Sequence, residues 1–471
     1  MQYRFRRREM SKKRTKEEYF AKEKELIGTS TVDFDGPVII GGKGIVGYDL
    51  NGKEFLDFTG QISLLNTGYG PKEVVSAICQ QAKSGVHSCI SADYPFLNEI
   101  TINRRKLEVS RVALAEKLIE ITDKVMPFKK RVYFEDSGAT AVDLAGKIAE
   151  ITHIRNRGIG TESLQRHFES DIFIPSEFEL FKFSFLVFRN AFHGRHGLAQ
   201  LFTNSKPKQM WAVSSSCVVG RLPFPTPGIN GWKFSRTVKS AEEHISKFAP
   251  ILAFIFEPVQ GEGGINVPDG ALLKELAGYL REKGIYIIAD EIQAGLGRTG
   301  KMWACEHFGI EPDMLITSKS FSAGIGGVSA VIVNDDKFKD LEPGMHSGSH
   351  HASPIPVAAA IANIDLILRK NLVEQSANHG AYLLRRLEAI KEKRPSLISD
   401  VRGLGLMIGI EFQTAEIRDA VAKECKMNGL LLAPCGQKVI RMTPPLIVTI
   451  EEIDKALDIF ENVLNYFLGK P

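Results

Sequence analysis

A chain of 471 residues with 44% hydrophobic and 25% charged residues has the composition of a globular protein, with room for two or three domains. A net charge of +4 is small for that length and argues against nucleic acid as a partner, and no stretch approaches the roughly 18 apolar residues of a membrane span. Six cysteines (Cys79, Cys89, Cys217, Cys305, Cys425 and Cys435) are scattered without a CxxC pair, so the thiols read as reduced, the setting as cytoplasmic, and no metal is expected.

Most of the positive excess sits in Arg4, Arg6, Arg7, Arg8, Lys12, Lys13, Arg14 and Lys16, which reads as a solvated basic arm over residues 1–30. Residues 31–85 open a smaller domain. Short strands are predicted over 37–40, 44–49 and 54–58, with turns at Gly41-Gly42 and at Asn51-Gly52, a strong hairpin signal.

Residues 86–340 are expected to form the large domain, and from Arg131 to Asn334 strands alternate with helical patterns. Arg131–Asp136 reads as a strand that feeds Ser137-Gly138 and a helix over 139–153, and Ser184–Asn190 reads as another strand. The strand Leu252–Pro258 is followed by a helical stripe of Leu272, Leu273, Leu276, Ala277 and Leu280 that Gly284 stops, then by strands Ile285–Glu291 and Met314–Thr317. Residues 155–181 break this rhythm and read as an insertion. The alternation predicts an α/β fold with a mostly parallel sheet, whose ligands gather at the carboxyl ends of the strands. Residues 341–471 form the rest of the smaller α+β domain. There Val401–Phe412 reads as a turn-and-strand pair, and Thr449-x-x-Glu452 is a capping box for a helix carrying Ile453, Leu457, Phe460, Val463, Leu464 and Phe467.

Three strand ends carry the chemistry. Lys319 follows one buried strand and Asp290 closes another, an arrangement suited to covalent capture of an aldehyde cofactor beside a carboxylate. A carboxylate at the end of a wholly apolar strand must be paired; against a pyridine nitrogen it would keep that nitrogen protonated. Gln293, three residues on, can hydrogen-bond the phenolic oxygen of such a ring, and Ile292 between them can pack on its face. Ser137-Gly138-Ala139-Thr140, at a strand-to-helix junction, offers unpaired N–H groups to a phosphate. Ser at such a place also serves as an ordinary helix cap.

Six segments follow in order: RVYFEDSGATAVDLAGKIA, FRNAFHGR, FIFEPVQGEGG, IIADEIQAGLGRTGKMWACEHFGIEPDMLITSKS, VRGLGLMIGIEF and IRMTPPLIVTIEEID. Together they resemble the class III (ω-type) pyridoxal-phosphate aminotransferases of fold type I, in particular the 4-aminobutyrate aminotransferases, over about Gly36 to Phe467. The resemblance implies a large α/β domain with a mostly parallel sheet, a smaller α+β domain built from both terminal segments, and a homodimer with shared active sites.

It also implies roles for individual residues. Lys319 holds pyridoxal 5′-phosphate covalently and moves the proton, Asp290 pairs with the ring nitrogen, and Gln293 contacts the phenolic oxygen. Phe192 and Ile292 cover the two ring faces, with His193 beside them. Ser137, Gly138 and Ala139 hold the phosphate, which Ser349 reaches from the partner subunit where the family carries Thr. Arg195 and Arg441 take substrate carboxylates, and Glu262 gates Arg441: it stays on the arginine for an ω-amine and swings away for glutamate.

The implied reaction moves the amino group of 4-aminobutyrate to 2-oxoglutarate. Ornithine or acetylornithine as donor, and a racemase or epimerase on the same fold, are the alternatives. Thr140, His196 and the segment Ser349-His350-His351-Ala352-Ser353-Pro354 depart from the family pattern. His350 and His351 are too close in sequence to argue for a metal.

Overall fold

The computed structural model describes residues 14–28, 36–87, 95–158, 182–206 and 217–468. Seventeen strands are found among them. β1 (Ile39–Lys43), β2 (Val46–Asp49) and β3 (Glu54–Asp57) form a meander, and β4 (Leu97–Ile102) with β5 (Arg105–Ser110) a separate hairpin. β6 (Lys130–Glu135), β7 (Ser184–Phe188), β8 (Val218–Leu222), β9 (Ile251–Phe256), β10 (Tyr286–Asp290), β11 (Met314–Thr317) and β12 (Ser329–Asn334) make the large sheet. β13 (Ile398–Leu404), β14 (Met407–Phe412), β15 (Leu430–Leu431), β16 (Ala433–Cys435) and β17 (Val439–Met442) complete the set.

The large sheet has the order β6-β12-β11-β10-β9-β7-β8 and is parallel except for β12, which runs against both neighbours. Its inner strands β7, β9, β10, β11 and β12 are buried almost throughout because both faces are covered, while the edge strands β6 and β8 are partly exposed. Along β9, Phe254 and Phe256 face one core with Ile287 and Leu315, while Ala253 and Ile255 face another with Ile288 and Ile316. Into the second core helix α1 (Gly138–Asn156) lays Val142, Ala145, Ile148 and Ala149. Helix α2 (Gly270–Glu282) buries Leu272, Leu273, Leu276, Ala277 and Leu280, and Gly284 follows at φ +77°. With the parallel strands aligned, the carboxyl ends of β6, β7, β9, β10 and β11 share one edge.

β15 pairs parallel with β3, Leu430 opposite Leu56, so the C-terminal segment extends the N-terminal meander. Arg298 fastens three distant segments. Its fully buried guanidinium donates to the carbonyls of Leu406 (3.0 Å) and Pro444 and to Asn66 Oδ1 (2.5 Å). The final helix, α4 in the order completed by α3 (Pro354–Arg369), spans Ile450–Leu468 and opens with the expected reciprocal cap. Thr449 N donates to Glu452 Oε2 at 2.9 Å, and Glu452 N to Thr449 Oγ1 at 3.2 Å.

Three expectations change. The first turn does not lie at Gly41-Gly42, because β1 runs through both residues and the chain reverses after Lys43, with Gly44 at φ +61°. Gly42 is needed for packing instead: a Cβ there would stand 2.5 Å from Tyr69 Cγ. Part of the expected basic tail is a helix, Lys16–Leu26, because Thr15 and Glu18 form a capping box. The helix after Ser137 continues to Asn156, so the expected insertion begins inside it; residues 159–181 lie outside the described residues. No helix among the described residues is long and apolar enough to cross a membrane. The five described cysteines are all free.

Candidate active site

A cavity of about 330 Å³ opens at the carboxyl edge of the large sheet. Ser137, Gly138, Ala139, Phe192, His193, Arg195, Asp290, Ile292, Gln293 and Lys319 line it, brought together from the ends of β6, β7, β10 and β11. Lys319 is half-buried and follows β11 in a tight turn, Lys319–Ser322, at φ +45°. A left-handed lysine is strained and persists only where its surroundings impose it. Here Asn363 of α3 does so, donating from Nδ2 to the carbonyls of Ser320 (2.7 Å) and Phe321 (3.2 Å). Burial, then the nearby charge of Arg441, lowers the Lys319 ammonium pKa to about 8, against the pull of Asp290, Glu257 and Glu262.

Asp290 is buried and doubly held. His193 Nδ1 lies 2.7 Å from its Oδ2, and the Ile292 amide donates to its Oδ1 at 3.1 Å. His193 therefore fixes the carboxylate from behind. Its loop is pinned by Thr203 Oγ1, which accepts from the amides of His193 (2.9 Å) and Gly194 (3.1 Å). Beside it the buried Glu257 accepts from Phe192 N and Gly261 N, each at 2.9 Å; burial raises its pKa to about 7. Neither Thr203 nor Glu257 stands out in the sequence as a site residue. Glu257 is legible only as an acid ending an apolar strand.

At the other wall, Ser137 caps α1, its Oγ accepting from Thr140 N at 3.3 Å while Thr140 Oγ1 accepts from Ser137 N at 3.2 Å. Threonine, unusual there for the pattern, thus closes a capping box. Gly138 admits Ile292: a Cβ on the glycine would lie 2.9 Å from Ile292 Cδ1. Gly261 admits Gln293, whose Oε1 occupies the place a Gly261 side chain would take; Gln293 Nε2 is shut off from solvent and has no hydrogen-bond partner.

Arg441 comes from β17 and is 1% exposed, yet its Nε and Nη1 donate no hydrogen bond. Glu262 Oε2 stands 3.6 Å from Arg441 Nη1, too far for a hydrogen bond, while its Oε1 is held by Lys206. Lys206 is the residue least visible in the sequence, lying in Asn204-Ser205-Lys206-Pro207 with no motif around it. The loop that carries Glu262 is gripped by Arg402, which donates to the carbonyls of Gly264 (2.6 Å) and Ile265 (3.1 Å). Arg195 is exposed at the mouth, its guanidinium carbon 5.7 Å from the centre of the Phe192 ring. Ser349 is exposed and does not line this cavity.

The model of the family described as Aminotransferase class-III matches residues 36–464. This chain belongs to the class III aminotransferases. It is 33% identical to the acetylornithine aminotransferase of Methanocaldococcus jannaschii over 428 residues, which is 90% of this chain and 93% of that protein. It is 32% identical to the alanine/serine racemase of Pyrococcus horikoshii, covering 88% of this chain and 83% of that one. Its fold matches the crystal structure of the ornithine aminotransferase from Toxoplasma gondii ME49 with a TM-score of 0.80, at 25% identity, over 97% of this chain and 96% of the other.

The cofactor of this family is pyridoxal 5′-phosphate, and the residues present fit it. The cavity offers a lysine of lowered pKa, a buried carboxylate held from two sides, a buried amide donor without a partner, and the helix N-terminus at Gly138.

Proposed function

We propose that the class III aminotransferase takes an ω-amino acid as donor, 4-aminobutyrate foremost, and 2-oxoglutarate as acceptor. One observation carries this: Arg441 is buried with unused N–H groups, and Glu262 beside it is shared with Lys206. A buried guanidinium with free donors calls for a carboxylate, because its charge and its N–H groups are otherwise uncompensated. Glutamate, with a carboxylate on the reacting carbon, supplies one. An ω-amine has none there, and Glu262 then moves the short distance onto Arg441 and neutralises it. Lys206 gives the displaced Glu262 a second cation to rest on, so both positions of the gate are paired. The exposed Arg195 receives the distal carboxylate of either substrate by a bidentate contact.

Pyridoxal 5′-phosphate bound in the cavity supplies an electron sink that acidifies the substrate's C–H bond. Asp290, oriented by His193, meets the ring nitrogen and keeps it protonated. Gln293 Nε2 donates to the phenolic oxygen, Phe192 and Ile292 flank the ring, and the amides of Gly138 and Ala139 with Ser137 hold the phosphate. Lys319 Nζ takes the proton from the substrate carbon and returns it elsewhere, work suited to an amine whose pKa is brought near neutrality. Ser349, which does not line its own chain's cavity, reaches the phosphate of a partner subunit in a homodimer.

Incubation with 4-aminobutyrate and 2-oxoglutarate should yield glutamate, with ornithine and acetylornithine as parallel donors to rank. A single L-amino acid without an oxo acid should keep its optical rotation; its loss without glutamate formation in the first assay would overturn the reading in favour of a racemase. In half-reactions, Glu262→Ala should harm the ω-amine step more than the glutamate step, and equal loss in both would reject the gate.

A further inference from the structure

Outside the cavity one cluster of side chains has no part in the reading above. Glu135 ends β6, two residues before Ser137, and its carboxylate is buried. Two histidines from the segment between β12 and α3 converge on it: His346 Nε2 stands 2.5 Å from Glu135 Oε1, and His351 Nε2 3.3 Å from Oε2. The two imidazoles stack with centres 5.2 Å apart and planes 24° from parallel, and the three donor atoms lie within 4.8 Å of one another.

We propose that Glu135, His346 and His351 form a binding site for a divalent transition metal, zinc being the best match, which ties the 346–351 segment to the sheet edge beside the phosphate cradle. Two imidazoles and one carboxylate are a common three-ligand set for zinc, with the fourth position left to water or another ligand. An ordinary ion pair explains the arrangement less well. His346 Nε2 is closed off from solvent and, although near Glu135, forms no hydrogen bond of acceptable direction. A ring nitrogen buried without a hydrogen bond is costly, and a metal ion satisfies it together with the carboxylate. The backbone is fitted to the purpose as well. Gly348 lets the segment fold directly over the second imidazole, since a Cβ there would stand 2.1 Å from His351 Nε2. In a tetrahedral centre with bonds of about 2.0–2.2 Å, donor atoms lie roughly 3.3–3.5 Å apart, so small rotations of the rings bring all three into place.

The sequence conceals this site because its useful pair is His346 with His351, not the adjacent His350 and His351, and its third ligand is more than two hundred residues away. The site stands independently of the choice of amino donor.

The test uses the tag-free holoenzyme, stripped with a chelator and titrated with zinc, with metal content measured per chain and cobalt(II) used as a spectroscopic probe. One zinc per chain is expected, together with cobalt d–d absorption of tetrahedral intensity and a rise in Tm with zinc. Glu135→Gln, His346→Asn and His351→Asn should each weaken zinc binding by more than about 100-fold, beyond the roughly 10–100-fold cost of losing an outer-shell partner. The visible absorbance of the bound cofactor reports that each variant keeps its fold. Absence of stoichiometric zinc in the unaltered enzyme overturns the proposal. Uptake that survives His346→Asn together with His351→Asn also overturns it, by placing the metal elsewhere.

Discussion

The surroundings of Asp290 and those of Arg441 are built on opposite principles. Around Asp290 the carboxylates and the backbone are held within the chain: Asp290 by His193 and the Ile292 amide, Glu257 by two backbone N–H groups, and the turn after Lys319 by Asn363. Around Arg441, by contrast, Nε and Nη1 are unused and Glu262 stands between two cations. Groups that must stay in place are satisfied in advance, which removes the reorganisation that chemistry would otherwise require. In the proposed gate, the unmet need at Arg441 lets each substrate decide where the Glu262 carboxylate rests.

The contrast can be broken most severely at Lys319. Lys319→Ala should abolish the visible absorbance of the lysine-bound cofactor and cut kcat by roughly 10⁴-fold, the upper range for a positioned general acid–base. A band that persists unchanged would name another lysine.

Next in size is Arg441→Met, which should slow the glutamate half-reaction by about 10–150-fold, the worth of a charge-assisted hydrogen bond at 1.5–3 kcal/mol. The ω-amine half-reaction should change far less, and equal loss in both, read by single-turnover absorbance, would remove Arg441 from substrate selection.

A third measurement concerns the lowered pKa of Lys319, about 8 in the cofactor-free protein. Only the neutral amine attacks an aldehyde. Recapture of pyridoxal 5′-phosphate should therefore rise about tenfold per pH unit below 8 and level off above it. A rise continuing toward the ordinary lysine value of about 10.4 would show that burial does not act as described.

The smallest effect belongs to Lys206→Met. Its side chain is 42% exposed, so the pair with Glu262 is worth no more than about 1 kcal/mol, or up to roughly fivefold. The direction matters more than the size. Without Lys206, Glu262 rests on Arg441 alone, so the glutamate half-reaction should weaken while the ω-amine half-reaction holds, the reverse of Glu262→Ala.

The strands that carry Asp290 and Lys319 were readable because they are short, wholly apolar and closed by a charged residue, a pattern produced by burial on both faces of a parallel sheet. Met314–Thr317 is recovered residue for residue. Gly41-Gly42 was misread as a turn because a glycine needed to admit Tyr69 looks the same in sequence as one needed for a positive φ. Lys206, Thr203 and Asn363 were invisible for a different cause. Lys206 and Asn363 act through partners far along the chain, and Thr203 through a loop nine to ten residues back, contacts that no periodic spacing encodes.

From its residues alone, this protein was determined as a class III aminotransferase with a lysine, an aspartate and a glutamine at the ends of neighbouring strands. Local pattern suffices for the strand ends, because alternation, caps and apolar runs are short-range consequences of burial and backbone geometry; the family follows from the resemblance of six ordered segments. Only the tertiary structure decided that His193 steadies Asp290, that Glu262 is shared between Lys206 and Arg441, and that His346 joins His351 at Glu135. Those depend on where separate segments meet, and that is set by packing of the whole chain.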